Sequence, residues 1–260
     1  MGTVEQKKLL SIWPTTLPNN HVALLNQPLT YIFPRDTRDG FLHLNQQSVI
    51  CYTTLMLKIY LARHGQNIDN VNGVLNGHRD EPLTALGIAQ AKTTADFIVA
   101  NKLTFDIIYS SPLKRAHVTA GVIAQALELP QPTILQTLIE RDFGVMSGQL
   151  VSEIALLCSP DIIETDTITY FLSPAEAETF PDLIKRGKVV LEEIKSLHSD
   201  GSVLLVTHGD IGKMIYAAYY DLAWSDVLVN FHFGNCEVLL LSEDSPAAEA
   251  HVFKQEQHNH

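Results

Sequence analysis

Cysteine is scarce in this chain: Cys51, Cys158 and Cys236 lie far apart in 260 residues and form no CxxC pair. That excludes a disulfide framework or a zinc knuckle and fits a reducing cytoplasm. Basic charge is short as well. A formal net charge of -11 argues against a nucleic-acid partner, because non-specific binding needs a cationic surface that displaces counterions from phosphates. Any basic pocket must therefore be local. No apolar run approaches the length that spans a bilayer, and the N-terminus lacks the basic, apolar and small-residue order of a signal peptide. A soluble chain without a membrane partner is expected, and its oligomeric state is left open. Three catalytic signatures are also missing: the HExxH of zinc hydrolases, the Gly-x-Ser-x-Gly elbow of serine hydrolases and the Gly-x-x-x-x-Gly-Lys-Ser/Thr phosphate loop. No resident metal or cofactor is expected.

Apolar residues are plentiful, at 46%, enough for one sizeable core but not for two full domains. Residues 1–55 stand apart. They carry scattered prolines (Pro14, Pro18, Pro28, Pro34) and only short apolar patches, which reads as a weakly structured extension ahead of a catalytic domain over 56–260. From Leu57 onward strands and helices alternate. Leu57–Ala62 is apolar, β-branched and aromatic in a run too short for a helix, hence a strand. Thr84 is placed to cap a helix reaching Asn101, with Ile88, Ala91, Ala95 and Ile98 at helical spacing. Ile107–Tyr109 is a second strand, Lys114–Leu127 a helix and Thr133–Leu138 a third strand. After an ambiguous, Pro-punctuated insertion or cap over about 150–181, a helix from Leu183 to Leu197 leads into the strand Val203–Val206. A helix over Ile211–Tyr220 and a last strand over Glu237–Leu241 complete the pattern, followed by a polar tail. Such alternation predicts a three-layer α/β sandwich around a mainly parallel sheet.

The chemistry sits at strand ends. Arg63, His64 and Gly65 follow the first strand, and Thr207 and His208 follow Val203–Val206, which puts His208 in the equivalent place. Open α/β sheets bind ligands at the carboxyl ends of their strands, and guanidinium groups there suit an anion. Phosphoryl fits. Arg63 and Arg115 are expected to fork onto its oxygens, with Asn70 as a further phosphate contact. A neutral His64 is the expected nucleophile, His208 stabilises developing charge, and Glu140 serves as acid and then base. His78, His117 and His232 are read as structural or solvent-facing. Arg79 is read evenly between a site role and a pairing with Asp80 or Glu81.

These residues carry a resemblance. Arg63-His64-Gly65-Gln66 with Asn70 resembles the phosphohistidine motif of the histidine phosphatase superfamily, in the branch that includes phosphoglycerate mutase. Asp80-Glu81-Pro82-Leu83-Thr84, Ser110-Ser111-Pro112-Leu113-Lys114-Arg115-Ala116, Leu138-Ile139-Glu140-Arg141-Asp142-Phe143-Gly144 and Thr207-His208-Gly209 are similar to its later motifs, in the same order over residues 56–243. Asn67 departs from the usual Thr or Ser. The stretch after Gly148 lacks the long Trp- and Arg-rich segment of true mutases. The resemblance implies a metal-independent phosphatase acting on a small phosphorylated metabolite through a phosphohistidine. A phosphoglycerate mutase is the runner-up, and a pseudo-phosphatase that only binds phosphorylated ligands is the non-enzyme alternative.

Overall fold

The computed structural model describes residues 56–257; the extension expected over 1–55 lies outside them. The described chain begins with β1 (Lys58–Arg63), the short α1 (Ile68–Asn72), α2 (Ala85–Ala100), β2 (Ile107–Ser110), α3 (Lys114–Ala126) and β3 (Thr133–Ile134). A short α4 (Ile154–Cys158) and a separate hairpin of β4 (Ile162–Glu164) and β5 (Thr169–Phe171) follow. Then come α5 (Phe180–Leu197), β6 (Ser202–Thr207), α6 (Gly209–Tyr219), α7 (Trp224–Asn230), β7 (Val238–Leu241) and β8 (His251–Phe253). None of the described helices is long and apolar enough to cross a membrane.

The main sheet runs β3-β2-β6-β1-β7-β8, with β3, β2, β6 and β1 parallel, β7 antiparallel to β1 and β8 antiparallel to β7. Register is what builds the site. β1 and β6 pair from Lys58 with Ser202 to Arg63 with Thr207, and Ser110 at the end of β2 sits opposite Val206. The residues that follow these strands, His64, His208 and Ser111, therefore emerge together at one edge.

Strand side chains alternate between faces, and the core divides accordingly. Ile59, Leu61, Val203 and Leu205 pack with α5 and α6, whereas Tyr60, Ala62, Leu204 and Val206 pack with α2 and α3. This is the expected three-layer sandwich. Each fully buried aliphatic side chain contributes about 1.5–3 kcal/mol of transfer free energy, so both faces hold the sheet strongly.

Four expectations change. The third strand stops after Ile134, and Gln136–Leu138 coils into a 3₁₀ turn. The cause is side-chain competition for its carbonyls: Arg186 donates to Thr137 and Ile139, and Thr207 donates to Leu138. Ile88 lies on the exposed side of α2, where Gly87 and Gln90 are buried instead, and Leu197, at helical spacing with Val190 and Ile194 and so expected on their buried face, is exposed. α5 begins at Phe180, three residues early, because Thr179 caps it and Pro181 fits its first turn. Finally, the polar tail contains β8, which pairs with β7, and the helix α7 lies where the sequence showed no element.

Candidate active site

His64 is buried beyond the end of β1, and its Nδ1–H donates to the Gly65 carbonyl at 2.7 Å. This bond leaves the lone pair on Nε2, the tautomer a nucleophile requires. The loop is tied down around it. Asn235 Nδ2 donates to the His64 carbonyl (2.8 Å), and Gly65 N–H donates to Thr119, whose hydroxyl donates to the Arg115 carbonyl. Burial, then the charges of Arg115 and Arg63, push the His64 pKa well below the ordinary histidine value. The imidazole is neutral at neutral pH.

Arg115, fully buried at the start of α3, points its Nε at both histidines: 3.3 Å from His64 Nε2 and 3.1 Å from His208 Nδ1. Its two other nitrogens donate to the carbonyls of Arg79 and Gly77. The guanidinium is thus aimed by backbone. The two rings stand 5.0 Å apart, and His208 Nε2 meets the Ser111 hydroxyl at 2.7 Å. Burial and Arg115 also hold His208 neutral. Arg63 donates Nη1 to the Phe233 carbonyl, while its buried Nε has no hydrogen-bond partner.

Glu140 lies against the N-terminus of α6. Its carboxylate accepts N–H bonds from Arg141 (2.9 Å), Ile211 (3.1 Å) and Asp210 (3.4 Å), the last two being orphan donors of a first helical turn. These favour the anion. Burial and the neighbouring Asp210 charge outweigh them, so the Glu140 pKa is raised. Arg141 ion-pairs with Asp210 (3.0 Å) and lies over the rings of Phe143, Phe171 and Phe180, which holds Asp210 in place. His78 and Arg186 both donate to the Glu140 carbonyl.

One cavity of about 260 Å³ is lined by Arg63, His64, Asn70, Arg115 and Glu140, five of the six residues expected from the sequence; His208 stands behind Arg115. Asn70 has a structural task as well: its Oδ1 accepts the Asn67 N–H while Asn67 caps α1, a reciprocal capping box. Asn67 is fully buried and spends its amide on Asn76, so its departure from Thr or Ser serves the loop. Arg79 forks onto Asp69 (2.8 and 3.2 Å), with Glu81 farther off at 3.7 Å. His117 bonds Ser110, and His232 is exposed.

The family model for the histidine phosphatase superfamily (branch 1) matches residues 59–254. The chain belongs to that superfamily. Among curated relatives of this histidine phosphatase, phosphoserine phosphatase 1 of Hydrogenobacter thermophilus is 32% identical over 63% of this chain and 76% of that protein. A 2,3-bisphosphoglycerate-dependent phosphoglycerate mutase of Methylobacterium is also 32% identical, over 58% and 75%. A solved phosphoserine phosphatase of Entamoeba histolytica, in complex with phosphoserine, has a TM-score of 0.58 and 26% identity, covering 71% of this chain and 90% of that one.

Several residues of this histidine phosphatase's site had not been assigned a role from sequence. Ser111 sits inside a quoted motif but offers no spacing signal of its own. Asp210 and Lys213 lie within the first turns after His208, where proximity alone could have nominated them. Tyr170 comes from the hairpin β4–β5 and carries no sequence signal. Lys213 is buried, lines the same cavity and donates to the Tyr170 hydroxyl; burial lowers its pKa to about 8.

Proposed function

We propose that this protein is a metal-independent phosphatase of small phosphate monoesters that works through a phosphohistidine on His64. The observation carrying this reading is the His64 tautomer: Nδ1–H is committed to the Gly65 carbonyl, and the free Nε2 faces Arg115. In the first step Nε2 attacks phosphorus, the P–O bond to the alcohol breaks, and Glu140 gives its proton to the leaving oxygen. In the second, Glu140 takes a proton from water, which displaces the phosphoryl group from Nε2 as inorganic phosphate. Arg63, Arg115 and Asn70 hold the phosphoryl oxygens throughout. His208, bonded to Ser111 through Nε2 and accepting the Arg115 Nε–H at Nδ1, keeps that guanidinium aimed at the charge that develops on the phosphoryl oxygens. The free thiols Cys158 and Cys236 support a reducing, cytoplasmic setting.

The mutase reading has relatives in its favour. A mutase must keep its phosphorylated intermediates bound between half-reactions, which calls for several cations above the site. Residues 150–181 contain no Lys or Arg, which favours release to water. Rapid quenching with a phosphorus-labelled substrate should trap an acid-labile, base-stable phosphoenzyme in the wild type and none in His64→Ala. Turnover should persist in excess chelator. Normal turnover by His64→Ala sinks the mechanism, and 2-phosphoglycerate formation outpacing phosphate release, with 3-phosphoglycerate and a trace of 2,3-bisphosphoglycerate, sinks the preference for hydrolysis.

A further inference from the structure

The Lys213 ammonium stands out in the cavity. It is 3% exposed, and a buried ammonium is costly unless it is paired. No described carboxylate lies within ion-pair distance of it: Asp210 is committed to Arg141, and Asp69 to Arg79. Among the described residues its hydrogen bond goes to a neutral hydroxyl, that of Tyr170, which leaves two of three N–H donors for something else. Lys213 lines the same cavity as His64 and Glu140, yet Arg63 and Arg115 already supply the cations at the phosphoryl end. The chemistry of hydrolysis does not use it.

We propose that Lys213 and Tyr170 form a subsite for a carboxylate carried by the phosphorylated substrate. This rests on the phosphatase reading and names its substrate class: phosphate monoesters of small hydroxy or amino acids. A single ammonium matches the single charge of a carboxylate. A second phosphoryl group, with nearly twice that charge, would face one cation and the Asp210 carboxylate beside it. The Tyr170 hydroxyl, now accepting from Lys213, is free to donate its own hydrogen to a carboxylate oxygen. The cavity is below the 300–1,000 Å³ range of drug-sized sites, so the acid is small. Tyr170 belongs to β5 and Lys213 to α6, so the insertion contributes one half of the subsite and the helix behind His208 the other.

The test is discrimination within matched pairs: O-phosphoserine against O-phosphoethanolamine, and 3-phosphoglycerate against glycerol 3-phosphate. The wild type should favour the acid about 10- to 100-fold in kcat/KM, the range of one charge-assisted hydrogen bond. Lys213→Met should collapse that ratio, chiefly through KM, and Lys213→Arg should restore part of it. A purely structural lysine would lower all substrates together and leave the ratio intact. An absent wild-type preference, an unchanged ratio in Lys213→Met, or a preference for a bisphosphate over the acid overturns the proposal. If Lys213→Met does not fold, Tyr170→Phe reads the same ratio, with a several-fold fall expected and no change fatal. Should no phosphomonoester be hydrolysed at all, the phosphatase reading fails, and calorimetric binding of phosphoserine against phosphoethanolamine still decides the subsite.

Discussion

A general acid must hold its proton at the pH where it works, and in Glu140, the proposed acid, the carboxyl pKa is raised against three N–H bonds that favour its anion. The balance is tipped by burial and then by Asp210. Replacing Asp210 with Asn removes a negative charge and frees the Arg141 cation, and both changes stabilise the Glu140 anion. The Glu140 pKa should fall, and since kcat/KM requires the protonated acid, the basic limb of its pH profile should move to lower pH. The acidic limb should stay below the ordinary histidine range, because His64 is neutral well below it. A pH–rate profile of Asp210→Asn with an unmoved basic limb would refute this role. At this scale the sequence was most informative about placement, where a residue follows directly on the end of a strand. His64, Arg63 and His208 are such residues. It said less about Asn70, whose capping bond and cavity exposure coexist, and nothing about Tyr170, which reaches the site from a hairpin whose fold depends on tertiary packing.

Elements meet most tightly where β1's loop crosses the start of α2. A Cβ on Gly65 would collide with the Gly87 carbonyl oxygen, and one on Gly87 with the Gln66 carbonyl oxygen. These are backbone against backbone, so neither partner can swing away. Gly87→Ala should destabilise the fold by about 1–3 kcal/mol, the usual cost of overpacking, and lower the melting temperature by roughly 2–12 °C for a domain of this size. Because the displaced strand end carries His64, kcat should fall as well. A thermal melt and an activity both equal to wild type would show the contact to be softer than it looks. Element boundaries were legible where a cap announces them, as at Thr84, whose side chain accepts the Gly87 N–H. They were illegible where side chains from elsewhere decide: Arg186 and Thr207 capture the carbonyls after Ile134 and end β3. β8 was missed because an edge strand of three residues, half-buried throughout, is too short to show alternation.

Across the whole molecule, every residue assigned to the site falls between Arg63 and Lys213, and the described residues supply both faces of the sheet and both of its edge strands, β3 and β8. The tail beyond β8 also closes on the site. Gln257 accepts the Asn235 N–H while Asn235 holds the His64 carbonyl, and Gln255 donates to Gln90 and Thr94 on α2. From the scattered prolines and short apolar patches of residues 1–55, we propose that they form an extension that catalysis does not require, and that residues 56–260 carry the catalytic domain. It should fold cooperatively, with the melting temperature, kcat and KM of the full chain on the same phosphomonoester. A truncated chain that folds but shows a raised KM would assign the extension a share of the substrate site, and one that fails to fold would make it part of the domain. Because the Lys213 subsite lies wholly within the retained residues, the preference for carboxylate-bearing substrates should survive the truncation unchanged.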